Sequence, residues 1–172
     1  MKIQSILTSK LNHKQINKII ELKDSHWNHG KKSQKNWFKN KLKRKDLHIL
    51  LTKNDSLIGY TLLKERSFYY IQKKKIKKYL NFETLILKKK FRNFPILKKI
   101  MRFNNSIIKK NNKFSFLECK KDKIKMYNFF GWKLLDKKKF KLLDKESNKN
   151  IMVYNLKEKL SNKKKLFIFI NK

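Results

Sequence analysis

The first forty residues of the chain repeat apolar side chains at intervals of three and four positions. This spacing is typical of amphipathic helices, and it predicts one helix that begins after Asn12 and a second that follows a cap at Ser33. Residues 1–7 alternate loosely between apolar and polar, which predicts a first strand. The apolar positions of the two helices are Ile16, Ile19 and Ile20, then Trp37, Phe38 and Leu42.

The apolar period changes to two after residue 46, and this alternation is typical of strands. Asn54 and Asp55 interrupt it with a turn dipeptide, so the region predicts an antiparallel hairpin. A lysine-rich segment then separates the hairpin from a run of strand-forming residues. The predicted elements are strands at 47–51, 56–63 and 79–87 and a solvated connector at 73–78.

The second half of the chain contains the longest helical pattern. One apolar stripe runs through residues 95–111 while the lysines face away from it, which predicts a helix from Pro95 to Asn111. Shorter apolar runs follow, and Gly131 ends a helical one. They predict strands at 114–119, 131–135 and 151–156 and a helix at 121–130.

Helices early in the chain, then a hairpin, then strands alternating with helices predict an α/β fold with one mixed sheet. Residues 1–156 are interpreted as a single domain, and residues 157–172 as a basic tail. Within this tail, Leu166–Ile170 either adds an edge strand or lies on another surface.

Composition narrows the class of protein. Apolar residues make up 40% of the 172 positions, and only three Gly and one Pro occur, which excludes collagen-like and Pro/Gly-rich disordered chains. The single cysteine, Cys119, cannot form an internal disulfide and is interpreted as a buried apolar residue. No apolar run reaches the length of about 20 residues that spans a bilayer, and no secretory signal is recognised, so we expect a cytoplasmic protein.

The formal net charge of +36 makes polyanions attractive partners. However, the basic residues are mostly lysines, they are spread over the whole chain, and they accompany abundant Asn and Ile. This pattern is typical of AT-rich codons, and it favours genome drift over a selected nucleic-acid surface. We therefore expect no specific nucleic-acid partner, although a basic nucleic-acid-binding protein remains an alternative.

Two segments between Leu47 and Leu135, about half of the chain, resemble the GNAT superfamily of N-acetyltransferases. The first is LILKKKFRNFPIL at 85–97, where a strand leads through a basic residue into a helix. Where this family has two loop glycines, the present chain has Pro95 and Leu97. The second is KMYNFFGW at 125–132, which is similar to the Tyr-x-x-x-Gly-aromatic end of the family's last helix.

The resemblance implies a GNAT-like fold, with a mostly antiparallel central sheet, a splayed strand pair and flanking helices. It also implies that acetyl-CoA is the co-substrate, because amides at a helix start and a nearby cation suit a diphosphate. Arg92 is in the position of the family's leading basic residue. The cofactor-binding residues implied in this way are Leu85, Ile86, Leu87, Arg92, Asn93, Phe94, Ile96 and Leu97.

The resemblance further implies direct attack of an amine on the thioester. Tyr127 would be the general acid for the departing thiolate, or else an aromatic anchor packed on Phe130 and Trp132. Glu83 would accept the proton of the amine, or else be a carboxylate paired with a lysine.

His26, Trp27 and His29 lie between the two predicted early helices, where this family lines its acceptor pocket. The alternative is a surface loop with an aromatic plug. No metal is expected, because no second His/Cys group has suitable spacing. The predicted function is transfer of acetyl from acetyl-CoA to a small-molecule amine. A catalytically silent GNAT-like binding module is the alternative function. The positive charge of the protein favours anionic amines as acceptors. A homodimer is left open.

Overall fold

The computed structural model describes residues 1–70, 73–158, 160–161 and 165–171. Two compact units are formed, one by Met1–Lys64 and Glu83–Asn104 and the other by Glu65–Phe82 and Asn105–Lys172. The helices are α1 (His13–Trp27), α2 (Lys31–Lys41), α3 (Phe94–Lys110) and α4 (Ile124–Phe129). The strands are β1 (Lys2–Leu7), β2 (Leu47–Lys53), β3 (Ser56–Tyr70), β4 (Lys73–Leu87), β5 (Ser115–Cys119), β6 (Lys133–Leu134), β7 (Phe140–Leu142), β8 (Asn150–Tyr154) and β9 (Leu166–Ile168).

The first unit contains the predicted hairpin. Strands β2 and β3 pair in antiparallel fashion around Asn54 and Asp55, whose φ angles of 45° and 54° are the left-handed values that tight hairpin turns require. The register shifts after Leu51, where β3 carries one additional residue. Strand β1 pairs with β2 on the other side. The alternating pattern therefore predicted this part of the sheet correctly.

The boundaries of α1 and α2 differ from those predicted. Helix α1 begins at a capping box, in which the Asn12 side chain accepts from the Gln15 amide and the Gln15 side chain accepts from the Asn12 amide. It ends at Trp27, because Asn28 adopts a left-handed backbone with φ 48°. Helix α2 begins directly after Gly30, so the predicted cap at Ser33 is wrong. The interhelical loop is therefore only residues 28–30.

The apolar faces of α1 and α2 cover this part of the sheet. At Gly59 on β3, a Cβ atom would lie 2.8 Å from Cδ2 of Leu87 on β4, so a larger residue at this position would require the Leu87 side chain to shift. The core of the first unit consists of Ile19, Leu22, Leu50, Leu57, Tyr60, Leu62 and Ile86, with Ile6, Leu11, Trp37, Phe38 and Leu42 packed against it.

The second unit is built on the other parts of β3 and β4. The interpretation of residues 73–78 as a solvated connector is wrong, because β4 begins at Lys73. Lysine side chains on a strand can remain in solvent while the backbone of the strand is paired. Residues 75–78 of β4 are exposed in this way. Lys78 Nζ donates to Ser67 Oγ at 2.9 Å.

The C-terminal apolar segment also belongs to the sheet of the second unit. Strand β9 pairs with β3 in antiparallel fashion and with β7 in parallel fashion, and Leu166 and Ile168 are fully buried. Strand β7 was not predicted, because it is a three-residue strand inside a lysine-rich stretch. The proposed domain boundary at residue 156 stays a prediction.

The sheet is mostly antiparallel. Strand β4 pairs with β5 in parallel fashion through Leu80↔Ser115 and Asn81↔Phe116. The antiparallel pairings with a described register are β1–β2, β2–β3, β3–β9, β5–β8 and β6–β8. The predicted mixed α/β fold is thereby confirmed, whereas the splaying of a strand pair stays a prediction.

Candidate functional site

A cationic cleft of about 710 Å³ lies in the first unit, where β4 leads into α3. Ile86 and Leu87 are its apolar lining residues, and the other lining residues are polar or charged. Its basic side chains are His26, Lys88, Lys89, Lys90 and Arg92. Such a concentration of positive charge can attract an anionic ligand.

Arg92 and His26 organise one side of this cleft. Arg92 Nε donates to the Leu87 carbonyl at 3.0 Å, and one Arg92 terminal nitrogen lies 2.9 Å from His26 Nδ1. A guanidinium only donates, so His26 Nδ1 accepts and the imidazole carries its proton on Nε2. Burial, and then the Arg92 charge, lower the pKa of His26. The structure thus joins a predicted acceptor residue to a predicted cofactor residue, 66 positions apart, a contact for which the sequence carries no signal.

The backbone amides at the start of α3 are already engaged. Asn93 caps the helix, because its side chain accepts from the Ile96 amide at 3.1 Å and its carbonyl accepts from the Leu97 amide at 3.1 Å. The Asn93 amide donates to the Phe91 carbonyl at 3.0 Å. The amides of three predicted cofactor-binding residues, Asn93, Ile96 and Leu97, therefore have protein partners, and the charge of the cleft resides in its side chains.

Glu83 lies on β4, upstream of the cleft. Its carboxylate forms an ion pair with Lys64 Nζ, and the side chain is 30% exposed, whereas that of Lys64 is only 8% exposed. Glu83 is exposed, Thr84 is buried and Leu85 is partly exposed, so Glu83 and Leu85 share one face of the strand.

Lys23 forms a cluster with two tryptophans close to this ion pair. Its Nζ lies 3.0 Å from the ring centroid of Trp37 and 5.1 Å from that of Trp27, and the residue is only 4% exposed. Lys64 Nζ approaches the same Trp37 ring at 5.6 Å. Burial lowers the pKa of Lys23 to about 8, an effect that Glu83 opposes and Lys64 reinforces.

Sequence reasoning missed Lys23, although a signal was present. Lys23 follows Ile19 and Ile20 by four and three positions, so it continues the apolar stripe of α1 and not its solvated face. Trp27, the last residue of α1, is 39% exposed. Its ring packs edge to face against that of His26, with 4.9 Å between the ring centroids. His29 is exposed in the loop at 28–30.

Tyr127 belongs to the second unit and sits in the turn that the second motif predicts. Its carbonyl accepts from the amides of Phe130 and Trp132 at 3.0 and 3.1 Å, and Gly131 has φ 80°, which favours glycine. The ring is 8% exposed and packs edge to face against Phe82 at 6.3 Å. Burial, and then Cys119, raise the pKa of Tyr127, so its hydroxyl is protonated at neutral pH.

His48 is a buried histidine with a purely internal role. Its ring nitrogens lie 2.9 Å from the Tyr60 hydroxyl and 2.8 Å from Thr8 Oγ1, and burial lowers its pKa to about 4. Cys119 is buried and free. Among the described residues, no group of three or more His, Cys, Asp and Glu side chains could hold a metal ion. None of the described helices is long and apolar enough to span a membrane.

Comparison with known proteins identifies the fold. No protein-family model and no curated protein sequence matches the chain. Solved structures do match: a GNAT-family acetyltransferase from Staphylococcus aureus Mu50 has a TM-score of 0.60 at 16% identity, covering 91% of this chain and 100% of its own. The aminoglycoside 6'-N-acetyltransferase from Enterococcus faecium has a TM-score of 0.63 at 12% identity, covering 90% and 96%.

A third match is the PaiA N-acetyltransferase from Thermoplasma acidophilum in complex with coenzyme A, with a TM-score of 0.55 at 17% identity, covering 89% of this chain and 98% of that one. In all three cases nearly the whole of the solved chain is matched. Sequence identities this low speak for architecture alone. The chain therefore has the fold of the GNAT superfamily of N-acetyltransferases, as its two motifs suggested.

Proposed function

We propose that the protein is an N-acetyltransferase that transfers an acetyl group from acetyl-CoA to the amine of a small molecule. The observation that carries this proposal is the cationic cleft at the junction of β4 and α3, in a chain with the GNAT fold. A structural neighbour binds coenzyme A, whose diphosphate is an anionic group that this cleft suits.

The diphosphate would be held mainly by side chains. The amides of Asn93, Ile96 and Leu97 are engaged locally. Lys89 and Lys90 are exposed at the cleft. Their ammonium groups can bind phosphate oxygens as point charges, with Arg92 behind them. In this proposal, the backbone of Leu85, Ile86 and Leu87 lies along the pantetheine and Phe94 borders the diphosphate.

Acetyl-CoA supplies the activated thioester, and the protein would supply the acid–base groups. Glu83 accepts a proton from the attacking amine, directly or through water, because its carboxylate reaches solvent. Tyr127 donates a hydrogen bond to the departing thiolate. Its raised pKa lies above that of an ordinary thiol, so stabilisation of the thiolate contributes more than complete proton transfer.

The acceptor would be bound by residues from the C-terminal end of α1 and the loop that follows. Trp27 offers an exposed indole and His29 an exposed imidazole. His26 belongs to the same segment and additionally lines the cationic cleft. A small-molecule amine is consistent with the neighbouring aminoglycoside acetyltransferase.

The decisive experiment measures binding and turnover separately. Isothermal titration with acetyl-CoA should give saturable heat, and a thiol-release assay against a panel of amines should identify an acceptor. Tyr127→Phe should lower kcat by about 10- to 100-fold without changing acetyl-CoA affinity. Tyr69→Phe, which alters an aromatic residue stacked on Phe167, is the matched control. Unchanged turnover in Tyr127→Phe would remove this tyrosine from the mechanism.

A catalytically silent binding module is the second candidate, and one observation favours it. Pro95 and Leu97 replace the family glycines, and Asn93 occupies the Ile96 amide that a phosphate would otherwise use. This candidate predicts neither heat nor a thermal shift with acetyl-CoA. Saturable acetyl-CoA binding together with thiol release would exclude it.

A further inference from the structure

Two lysines and one carboxylate meet around a single indole in the first unit. Lys23 and Lys64 both approach the ring of Trp37, and Lys64 forms an ion pair with Glu83. Both lysines are more than 90% buried. The Lys64–Glu83 pair is neutral overall, so protonated Lys23 leaves this cluster with one net positive charge.

Among the described residues, Lys23 has no carboxylate partner of the kind that a buried cation normally has. In the part of the chain that the structure describes, its Nζ contacts the faces of Trp27 and Trp37 and lies within ion-pair distance of no carboxylate. Charges are rarely buried without an opposite charge or hydrogen-bond acceptors, because desolvation is costly. The lowered pKa of Lys23 has the same cause. The described neighbours of Lys23 Nζ are therefore two aromatic faces, and no carboxylate lies within ion-pair distance.

The cluster borders solvent through Glu83 and Trp27. The Glu83 side chain is 30% exposed and Trp27 is 39% exposed. Trp27, His26 and His29 form the segment already proposed to contact the acceptor.

We propose that Lys23, flanked by Trp37 and Trp27, binds a carboxylate of the acceptor, and that the acceptor is therefore an amine that also carries a carboxylate group. This inference rests on the proposed acetyltransferase function. The two charged groups of the cluster complement the two ends of such a molecule. Glu83 would receive the ammonium group that must lose its proton, and Lys23 would receive the carboxylate.

The charges of the cluster disfavour the other classes of amine. A polyamine or a polycationic amino sugar would bring further positive charge against Lys23 and Lys64, and the Glu83 carboxylate of the cluster is already paired with Lys64. An amine with one carboxylate brings one negative charge to Lys23 and one positive charge to Glu83.

The anion site can be tested without catalysis. The chain has three tryptophans, so its indole N–H groups give three NMR signals, which Trp27→Phe and Trp37→Phe assign. Titration with N-acetylglycine should shift the Trp37 signal, whereas N-acetylglycinamide should not. Trp132, in the second unit, is the internal control. Lys23→Met should weaken N-acetylglycine binding by about tenfold or more, and Lys23→Arg should retain part of it.

Lys14→Met is the matched control variant, because Lys14 is exposed on the same helix. Equal binding of the acid and the amide would overturn the proposal. Unchanged N-acetylglycine binding in Lys23→Met, in a protein with a normal thermal transition, would overturn it as well.

Turnover separates failure of this inference from failure of the proposed function. Amino acids such as glycine, β-alanine and L-phenylalanine are compared with their amides in the thiol-release assay. Preference for the acids by about tenfold or more in kcat/KM, lost in Lys23→Met, supports the inference. Equal turnover of acids and amides would overturn this inference, while the proposed acetyltransferase function would stand. Lys23-dependent binding of N-acetylglycine without any turnover would leave the anion site and refute the acetyltransferase.

The pH dependence provides an independent readout. Lys23 must be protonated to bind a carboxylate. The titratable groups that interact electrostatically with it are Lys64, Glu83 and His48, and His48 is neutral at pH 7. N-acetylglycine has no titrating amine. Its affinity should therefore be constant between about pH 5.5 and pH 8, where its carboxylate is ionised, and fall by about tenfold per pH unit above pH 8. An affinity that stays constant to pH 10 would contradict the role of Lys23.

Discussion

Helices α1 and α3 begin with the same device and differ in the charges that accompany them. Asn12 caps α1 through the Gln15 amide, and Asn93 caps α3 through the Ile96 amide. In both helices a first-turn amide is satisfied by the chain itself. Yet the start of α1 contributes no residue to the described lining of the cationic cleft, whereas the start of α3 follows the basic residues that line it.

Lysines of the two regions also differ in environment. Lys89 and Lys90 are exposed before α3, whereas Lys23 is buried within α1 between two indoles. Solvated lysines cost little and attract anions over some distance, but a buried lysine costs stability until an anion arrives. The comparison indicates that α3 offers charge for a large anion and α1 offers one selective contact.

Reversal of the cleft charges should have the largest effect. Lys89→Glu with Lys90→Glu should weaken acetyl-CoA binding by about 30- to 100-fold, because two attractive contacts become repulsive. Isothermal titration at fixed ionic strength measures the change. Lys137→Glu with Lys138→Glu, at exposed positions of the second unit, alters the net charge equally and should have little effect. Equal losses in both double variants would mean that overall charge, and not this cleft, attracts acetyl-CoA.

Removal of the buried cation should come next, and it should stabilise the protein. The folded-state pKa of Lys23, about 8, lies below its ordinary 10.5, so the unfolded chain binds more protons between these values. The contribution of Lys23 to stability is thus most unfavourable below pH 8 and vanishes as the pH rises through 10.5.

Lys23→Met should therefore raise the unfolding free energy at pH 7 by about 1–2 kcal/mol, since the lost cation–π contacts offset part of the relieved desolvation. Denaturant unfolding at pH 7 and pH 10.5 measures this gain, which should shrink at the higher pH. Lys14→Met should be neutral at both. A destabilised Lys23→Met at pH 7 would show that the indole contacts outweigh desolvation.

Removal of the first cap should cost an intermediate amount. Asn12→Ala removes the acceptor for the Gln15 amide and should lower the unfolding free energy by about 1 kcal/mol. Because α1 begins away from the cleft lining, acetyl-CoA affinity should not change. A loss of affinity would mean that the two helix starts are not independent.

Features that depend on local periodicity could be predicted from the sequence, and features that depend on distant contacts could not. The stripe of α3 and the hairpin around Asn54 and Asp55 follow from local periodicity, and both were correct. Strand β4 was predicted six residues too short, because the lysines at its start are typical of a solvated loop. Whether such a segment pairs with another strand depends on residues distant in sequence.

The site divides in the same way. Glu83 and Leu85 were predicted within one strand at 79–87, and both lie on β4. The contact of His26 with Arg92 depends on how α1 lies beside the end of β4, which no spacing encodes. Lys23 was predictable in principle, since a lysine within an apolar stripe already signals a buried cation.

Release of the second cap should have the smallest and most informative effect. Asn93→Gly keeps the backbone freedom of an N-cap but removes the oxygen that occupies the Ile96 amide. Stability should fall by only a few tenths of a kcal/mol. Acetyl-CoA affinity should rise about two- to fivefold, because a helix-start amide becomes available to a phosphate oxygen beside Lys89 and Lys90. Asn12→Gly, with a similar cost in stability, should leave affinity unchanged. Unchanged affinity in Asn93→Gly would mean that the diphosphate never approaches this helix start and that the side chains of the cleft bind it alone.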